Sequence, residues 1–204
     1  MLITAVEPKK KGLSALYLDG EYAMKLDTET LLAHRFDVGR EIDDETLHRC
    51  VIASDTKRCK DKAMWLVSFC DHSRRELYDK LRRDYDESVC EQTVARLQEL
   101  GLIDDRRYAE RYAADLVHLR HLSVRGVREK LYHKGIDRDL IDEVTDTLDI
   151  DESAQLRAVI EKKYARSLSD EKGVRRTVAA LTRMGFGYAD IRAALRDYTD
   201  TEEY

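Results

Sequence analysis

The chain has 204 residues, 43% of them hydrophobic and 38% charged, with 36 Lys plus Arg against 41 Asp plus Glu. That apolar share excludes a disordered chain, and no apolar run approaches the ~20 residues needed to cross a bilayer. The net charge of -5 excludes a protein that is basic all over, so any surface for nucleic acid must come from local segregation of charge.

In chain order, Leu2 to Val6 forms a short β-prone run that ends at Pro8 and the basic tip Lys9, Lys10 and Lys11. Leu16 to Leu18 and Tyr22 to Met24 flank Asp19-Gly20, a two-residue connection that favours a type I′ hairpin because both turn residues need positive φ. Asp27 or Thr28 is placed to cap a short helix through Leu31 and Leu32. Gly39 breaks the chain before a longer helical stretch from about Asp43. A separate helix is expected from Ala63 to Phe69. Ser73 with Glu76 makes a capping box for the next helix, and Val89, Val94, Leu97 and Leu100 give the third an apolar stripe that Gly101 ends. Tyr78, Tyr108, Tyr112, Tyr132 and Tyr164 are expected at the edge of the core, with wet hydroxyls.

From about residue 60 the pattern repeats every 50 positions. Arg75, Arg125 and Arg175 are in step, as are Leu81, Leu131 and Leu181, and Lys134-Gly135-Ile136 is echoed by Met184-Gly185-Phe186. In the third copy Gly173 stands where Ser73 and Ser123 cap the others, and Ala180 replaces the lysine. The expected fold is mainly α: tandem three-helix repeats in an elongated array behind a small N-terminal β-hairpin element. The expected divisions are residues 1–58 for the hairpin and linking helices, then 59–103, 104–150 and 151–204 for three repeats. Each repeat alone buries too little surface to be robust and must lean on its neighbours.

The most specific string is Gly101-Leu102-Ile103-Asp104-Asp105-Arg106-Arg107-Tyr108-Ala109-Glu110-Arg111-Tyr112. With the S-x-x-E-L-x-x-K-L run before it and the G-V-x-x-K-L-x-x-K-G-I run after it, the chain over about residues 60–197 resembles the RecX family, regulators of the bacterial recombinase RecA. Leu18 to Ala23 is similar to the hairpin extension of longer members. The resemblance implies a non-enzymatic, cofactor-free regulator in recombination, DNA repair and the SOS response. Such a protein binds RecA nucleoprotein filaments in their helical groove, touches more than one protomer, and suppresses ATP hydrolysis and strand exchange. Repeating units suit a repeating target, because several weak contacts add through effective concentration.

Charge segregation offers the residues for that grip. The second helix of each repeat is locally basic: Arg74, Arg75, Lys80, Arg82 and Arg83 in the first, Arg120, Arg125, Arg128, Lys130 and Lys134 in the second, Lys172, Arg175, Arg176 and Arg183 in the third. If the units stack regularly, these helices present one basic track, with Arg125 and Arg128 as the leading pair. Its partner would be the acidic surface of RecA protomers or the phosphates of single-stranded DNA inside the filament, either of which an arginine fork can hold bidentately. The protein is expected to be a monomer, cytoplasmic, with no membrane partner. The competing reading is a helix-turn-helix transcription regulator that reads duplex DNA, normally as a dimer with one recognition helix per subunit.

Other signals point elsewhere only weakly. Asp104, Asp105 and Glu110 could suggest a metal-dependent nuclease, but Asp104 stands where a helix N-cap belongs. His48, Cys50, Cys59, Cys70 and His72 include two close pairs, H-x-C and C-x-H, but these fall on predicted helices rather than on the turns that zinc sites use, so they are expected to be buried thiols and surface histidines. Cys50, Cys59, Cys70 and Cys90 form no CxxC pair or disulfide framework and no apolar leader precedes them, so the thiols are expected to be reduced. No glycine-rich phosphate loop or nucleophile motif stands out.

Overall fold

The computed structural model describes residues 1–199. The chain divides into two compact units, the first Met1–Ile103 and the second from Asp104 onward.

The first unit opens with three antiparallel strands in sequential order, β1 (Ile3–Pro8), β2 (Leu13–Leu18) and β3 (Glu21–Asp27). Between β2 and β3, Asp19 and Gly20 have φ of 50° and 91°, the left-handed pair that a type I′ turn requires. At the other turn Lys9 pairs with Glu7 at 2.7 Å, so part of the expected basic tip is neutralised. Ile3, Leu16, Leu18 and Leu26 lie under the sheet against Leu31, Phe36, Ile42 and Cys50. That core is closed by α1 (Thr28–Ala33) and by the start of α2 (Asp44–Phe69).

The sequence reading splits α2 into two pieces, whereas the structure has one helix of 26 residues. No glycine or proline interrupts it, and Asp43 caps it by accepting from the Thr46 N–H at 2.8 Å. Its two halves serve different cores. Leu47, Cys50 and Val51 pack under the sheet; Cys59, Ala63, Leu66 and Val67 pack into a bundle with α3 (Arg74–Leu81) and α4 (Glu87–Glu99). The nine positions from Cys50 to Cys59 turn a helix by about 180°, so the buried stripe changes sides midway. The boundary expected at 58/59 therefore lies inside a continuous helix.

Asp27 ties these parts together. One carboxylate oxygen accepts from the backbone N–H and the hydroxyl of Thr30, both at 2.9 Å, which caps α1. The other accepts from the Lys57 ammonium of α2 at 3.0 Å, and the Asp27 N–H donates to Ser54 Oγ at 2.8 Å. Burial alone would raise the Asp27 pKa, but the Thr30 N–H, Lys57 and the Thr30 hydroxyl together hold it below the ordinary aspartate value.

In the first three-helix bundle Ser73 and Glu76 form the expected capping box. Two side chains reverse their expected burial: Cys70 is exposed, and His72 is buried. Cys70 has passed the end of α2, while His72 is folded back towards α3, with Nε2 3.2 Å from Lys80 Nζ. An ammonium can only donate, so Nε2 accepts and Nδ1 carries the proton, given to the Asp71 carbonyl at 2.8 Å. The other three thiols are buried, and desolvation pushes Cys50 and Cys90 up to about 11.

The second unit holds two more bundles. The first is α5 (Asp105–His118), α6 (Val124–His133) and α7 (Arg138–Asp146), around Ala109, Ala113, Leu116, Val127, Leu131, Ile141 and Val144. Asp104 caps α5 by accepting from the Arg107 N–H at 3.0 Å, as its position predicts. The second is α8 (Glu152–Val159), which runs on through a π turn and a 3-10 turn to Ser167, then α9 (Glu171–Arg183) and α10 (Tyr188–Thr199). Its core is Leu156, Val159, Ile160, Leu181, Phe186, Ile191 and Leu195. The expected equivalence of Gly173 with the capping serines needs correction. The cap is Asp170, which accepts from the Gly173 N–H at 2.5 Å, so α9 starts three residues earlier and Gly173 lies within it.

The two bundles of this unit join through the main-chain amides of Ser123 and Val124. The Ser123 N–H donates to the Met184 carbonyl at 3.1 Å, and Glu152 accepts from the Val124 N–H at 2.6 Å. Gly185 has φ of 94°, and a Cβ there would lie 2.3 Å from the Gly126 nitrogen. A Cβ on Gly126 would in turn lie 2.3 Å from the Met184 carbonyl oxygen.

Gly185→Ala combines positive φ with a main-chain clash and should cost about 2–4 kcal/mol, read as a lowered denaturation midpoint by circular dichroism. A midpoint within error of the parent would show that the two bundles do not depend on this approach. The acid limb of stability should carry the signature of Asp27. A depressed carboxylate stabilises fully above the unfolded value of about 3.9 and loses that contribution as pH falls through its lower folded value. Asp27→Asn should therefore be less stable at pH 7 and show a flatter loss of stability below about pH 4. An acid dependence as steep as the parent's would remove Asp27 from that role.

Candidate docking surface

The second helix of each bundle places its in-step arginine alike. On α3, α6 and α9, Leu77, Val127 and Thr177 face the core with Leu81, Leu131 and Leu181. Arg75, Arg125 and Arg175 sit two residues before the first of these, about 160° round the helix, and all three are exposed. Their surroundings differ. Arg75 is held by Asp79 at 3.1 Å and Arg175 by Glu171 at 2.5 Å, each one helical turn away, whereas Arg125 makes no hydrogen bond or ion pair among the described residues.

The leading pair of the sequence reading divides in role. Arg128 is half-buried and turned across onto α7: Nε donates to Thr145 Oγ1 at 2.9 Å, Nη2 to Asp146 at 3.1 Å, and Nη1 lies 3.2 Å from Asp142. It is a clamp between α6 and α7. Lys130 is exposed on the opposite flank of α6 from Arg125, so these basic residues do not form a single stripe. Lys134 places its ammonium 5.5 Å from the centre of the Tyr112 ring. In the first bundle Lys80 is spent on His72, and Arg82 donates to the Tyr85 carbonyl at 2.6 Å, closing the turn into α4. Arg74 is exposed at the start of α3. Arg120, Arg176 and Arg183 are exposed and make no hydrogen bond or ion pair among the described residues.

Sequence reasoning passed over other cations. Beside Arg120, the His121 pKa is lowered by burial and then by Lys163 and Lys162, which marks a positive corner of the second unit. On α10, Arg192 lies over the exposed Tyr188 ring at 5.8 Å, and with Arg175 and Arg196 it borders a groove between α9 and α10. The repeat signature lies on the second helices, whereas Lys162 and Lys163 follow α8 and Arg192 and Arg196 lie on α10. Among the described residues no group of His, Cys, Asp or Glu is placed to hold a metal ion, and no helix is long and apolar enough to cross a membrane.

Three family models match consecutive segments: the first three-helix domain of RecX over residues 59–97, the second over 104–144 and the third over 150–195. A regulatory protein RecX of Clostridium tetani is 29% identical over 95% of this chain and 92% of its own length. One of Chlorobium phaeobacteroides is 34% identical over 70% of this chain and 94% of its own. The fold is similar to the crystal structure of a regulatory protein RecX, with a TM-score of 0.61 at 22% identity over 98% of both chains. It is also similar to that of RecX from Lactobacillus salivarius, with a TM-score of 0.58 at 24% identity over 72% of this chain and 98% of that one. With its three helical repeats matched one by one and in order, the chain belongs to the RecX family of regulatory proteins.

Proposed function

We propose that this protein binds the nucleoprotein filament of a RecA-type recombinase and lowers its ATP hydrolysis and strand exchange, acting as a cytoplasmic monomer. The observation that carries the reading is the succession of three RecX domains over residues 59–195, which makes the chain a regulator built of like units. A filament offers like sites at regular intervals, and like units can occupy several of them at once. The action is steric and electrostatic: the bound protein bridges protomers and hinders ATP turnover or subunit addition. The cations available for this are those not spent inside the fold, chiefly Arg120, Arg125, Lys130, Arg176 and Arg183, with carboxylates of the recombinase or phosphates of its single strand as their partners.

The direct test is the rate of ATP hydrolysis by the host's own recombinase on single-stranded DNA, with and without this protein. The rate should fall with added protein, and an unchanged rate at saturating protein would refute the reading. Arg125 and Arg128 should separate in the same assay. Arg125→Glu should weaken inhibition by about tenfold in concentration with an unaltered melting midpoint. Arg128→Glu should instead lower the midpoint, by about 1 kcal/mol of stability, because it sets a carboxylate beside Asp142 and Asp146. Full inhibition by Arg125→Glu would take that residue out of the contact.

A further inference from the structure

The groove between α9 and α10 has a volume of about 490 Å³. In the second bundle the corresponding place is filled from within. Arg128 reaches across it from α6 to α7, its guanidinium shared among Thr145, Asp142 and Asp146. In the first bundle Tyr78 occupies the position of Arg128 and packs against the core. In the third bundle that position is Val178, too short to reach across, and the acceptors are gone: fifty residues after Asp142, Thr145 and Asp146 stand Arg192, Leu195 and Arg196. The register is secure, since Ile141 and Ile191, like Val144 and Ala194, are buried alike.

The result is the chemical inverse of the second bundle. Its floor is aliphatic, from Val174, Val178 and Leu195, and Arg175, Arg192 and Arg196 line it, Arg175 engaged by Glu171 and Arg196 by a contact of its own. Arg192 has no carboxylate partner among the described residues; its guanidinium rests over Tyr188.

We propose that the α9–α10 groove is a docking site for an acidic, amphipathic segment of another protein, which seats an aliphatic side chain on Val174, Val178 and Leu195 and offers carboxylates to Arg175 and Arg192. Charge complementarity selects an anionic occupant. The aliphatic floor suits a peptide side chain, and the aromatic ring among the lining residues, Tyr188, on which a base could stack, already has Arg192 over it. The site goes beyond the filament reading and does not depend on it: the partner is defined by its chemistry, and the assay below contains no recombinase.

The test uses the full chain and fluorescence anisotropy with three labelled probes. The first is a peptide of about twelve residues with two leucines among aspartates and glutamates; the second is the same length without leucine; the third is an oligothymidylate of about twelve nucleotides. The leucine peptide should bind the parent at least about tenfold tighter than the leucine-free one. The triple variant V178R/R192D/R196D, which copies the plug of the second bundle, should weaken that binding by about tenfold or more. Arg192→Gln alone, a surface change, should weaken it by about threefold and keeps the test valid should the triple variant not fold. Equal binding of both peptides, undiminished binding by the variants, or binding of the oligothymidylate alone with loss in the same variants would overturn the proposal, the last by making the groove a nucleic-acid site.

Discussion

A bundle of three short helices encloses only a thin core, and sharing of structure between neighbours is the constraint on which this protein is built. Two solutions appear. In the first unit a single long helix, α2, belongs to the sheet at one end and to the bundle at the other, so neither is closed without it. In the second unit two bundles meet through main chain, where Gly185 and Gly126 let the Met184 carbonyl reach the amide of Ser123. The residue that caps α6 thus also receives the end of α9. Local helix signals and long-range assembly fall on the same atoms, which is the agreement between levels expected of a well-specified fold.

Much of this was legible in the sequence. The fifty-residue period, the capping box at Ser73, the Asp104 cap and the Asp19-Gly20 turn are each set by local chemistry, and each is found as expected. The continuity of α2 was hidden for a physical reason. Its apolar residues lie on opposite sides in its two halves, so no single stripe runs its length, and a reading based on periodicity breaks it where the stripe changes sides. The start of α9 was misplaced because Asp170, three residues before the register predicts, is the better acceptor for a free N–H. Burial of His72 was hidden because its partner, Lys80, lies in the last turn of the following helix, α3.

The charged residues teach a sharper lesson. A count of lysines and arginines per helix treats them as equivalent, yet Arg125 and Arg128, one turn apart on one helix, have different employments. Arg128 is consumed by Asp142, Asp146 and Thr145, all on α7, and a sequence window confined to α6 cannot contain its partners. Conversely, the cations of α10 lie outside the repeat's most recognisable helix. Arg128 and its α7 acceptors form an internal pair in the second bundle, whereas the same positions in the third carry Val178, Arg192 and Arg196.

The reversal of faces along α2 also limits how this chain can change over time. Between Cys50 and Cys59 the helix acts as a shaft with a fixed phase. Adding or deleting one residue there would swing everything beyond it by about 100° and carry the bundle residues out of line with the sheet residues. Substitutions on the outward sides of that stretch are cheap, but a change in its length is not. Lineages of this protein should therefore vary at the exposed positions of that stretch while keeping its spacing, and the Ser54 and Lys57 contacts to Asp27, constant.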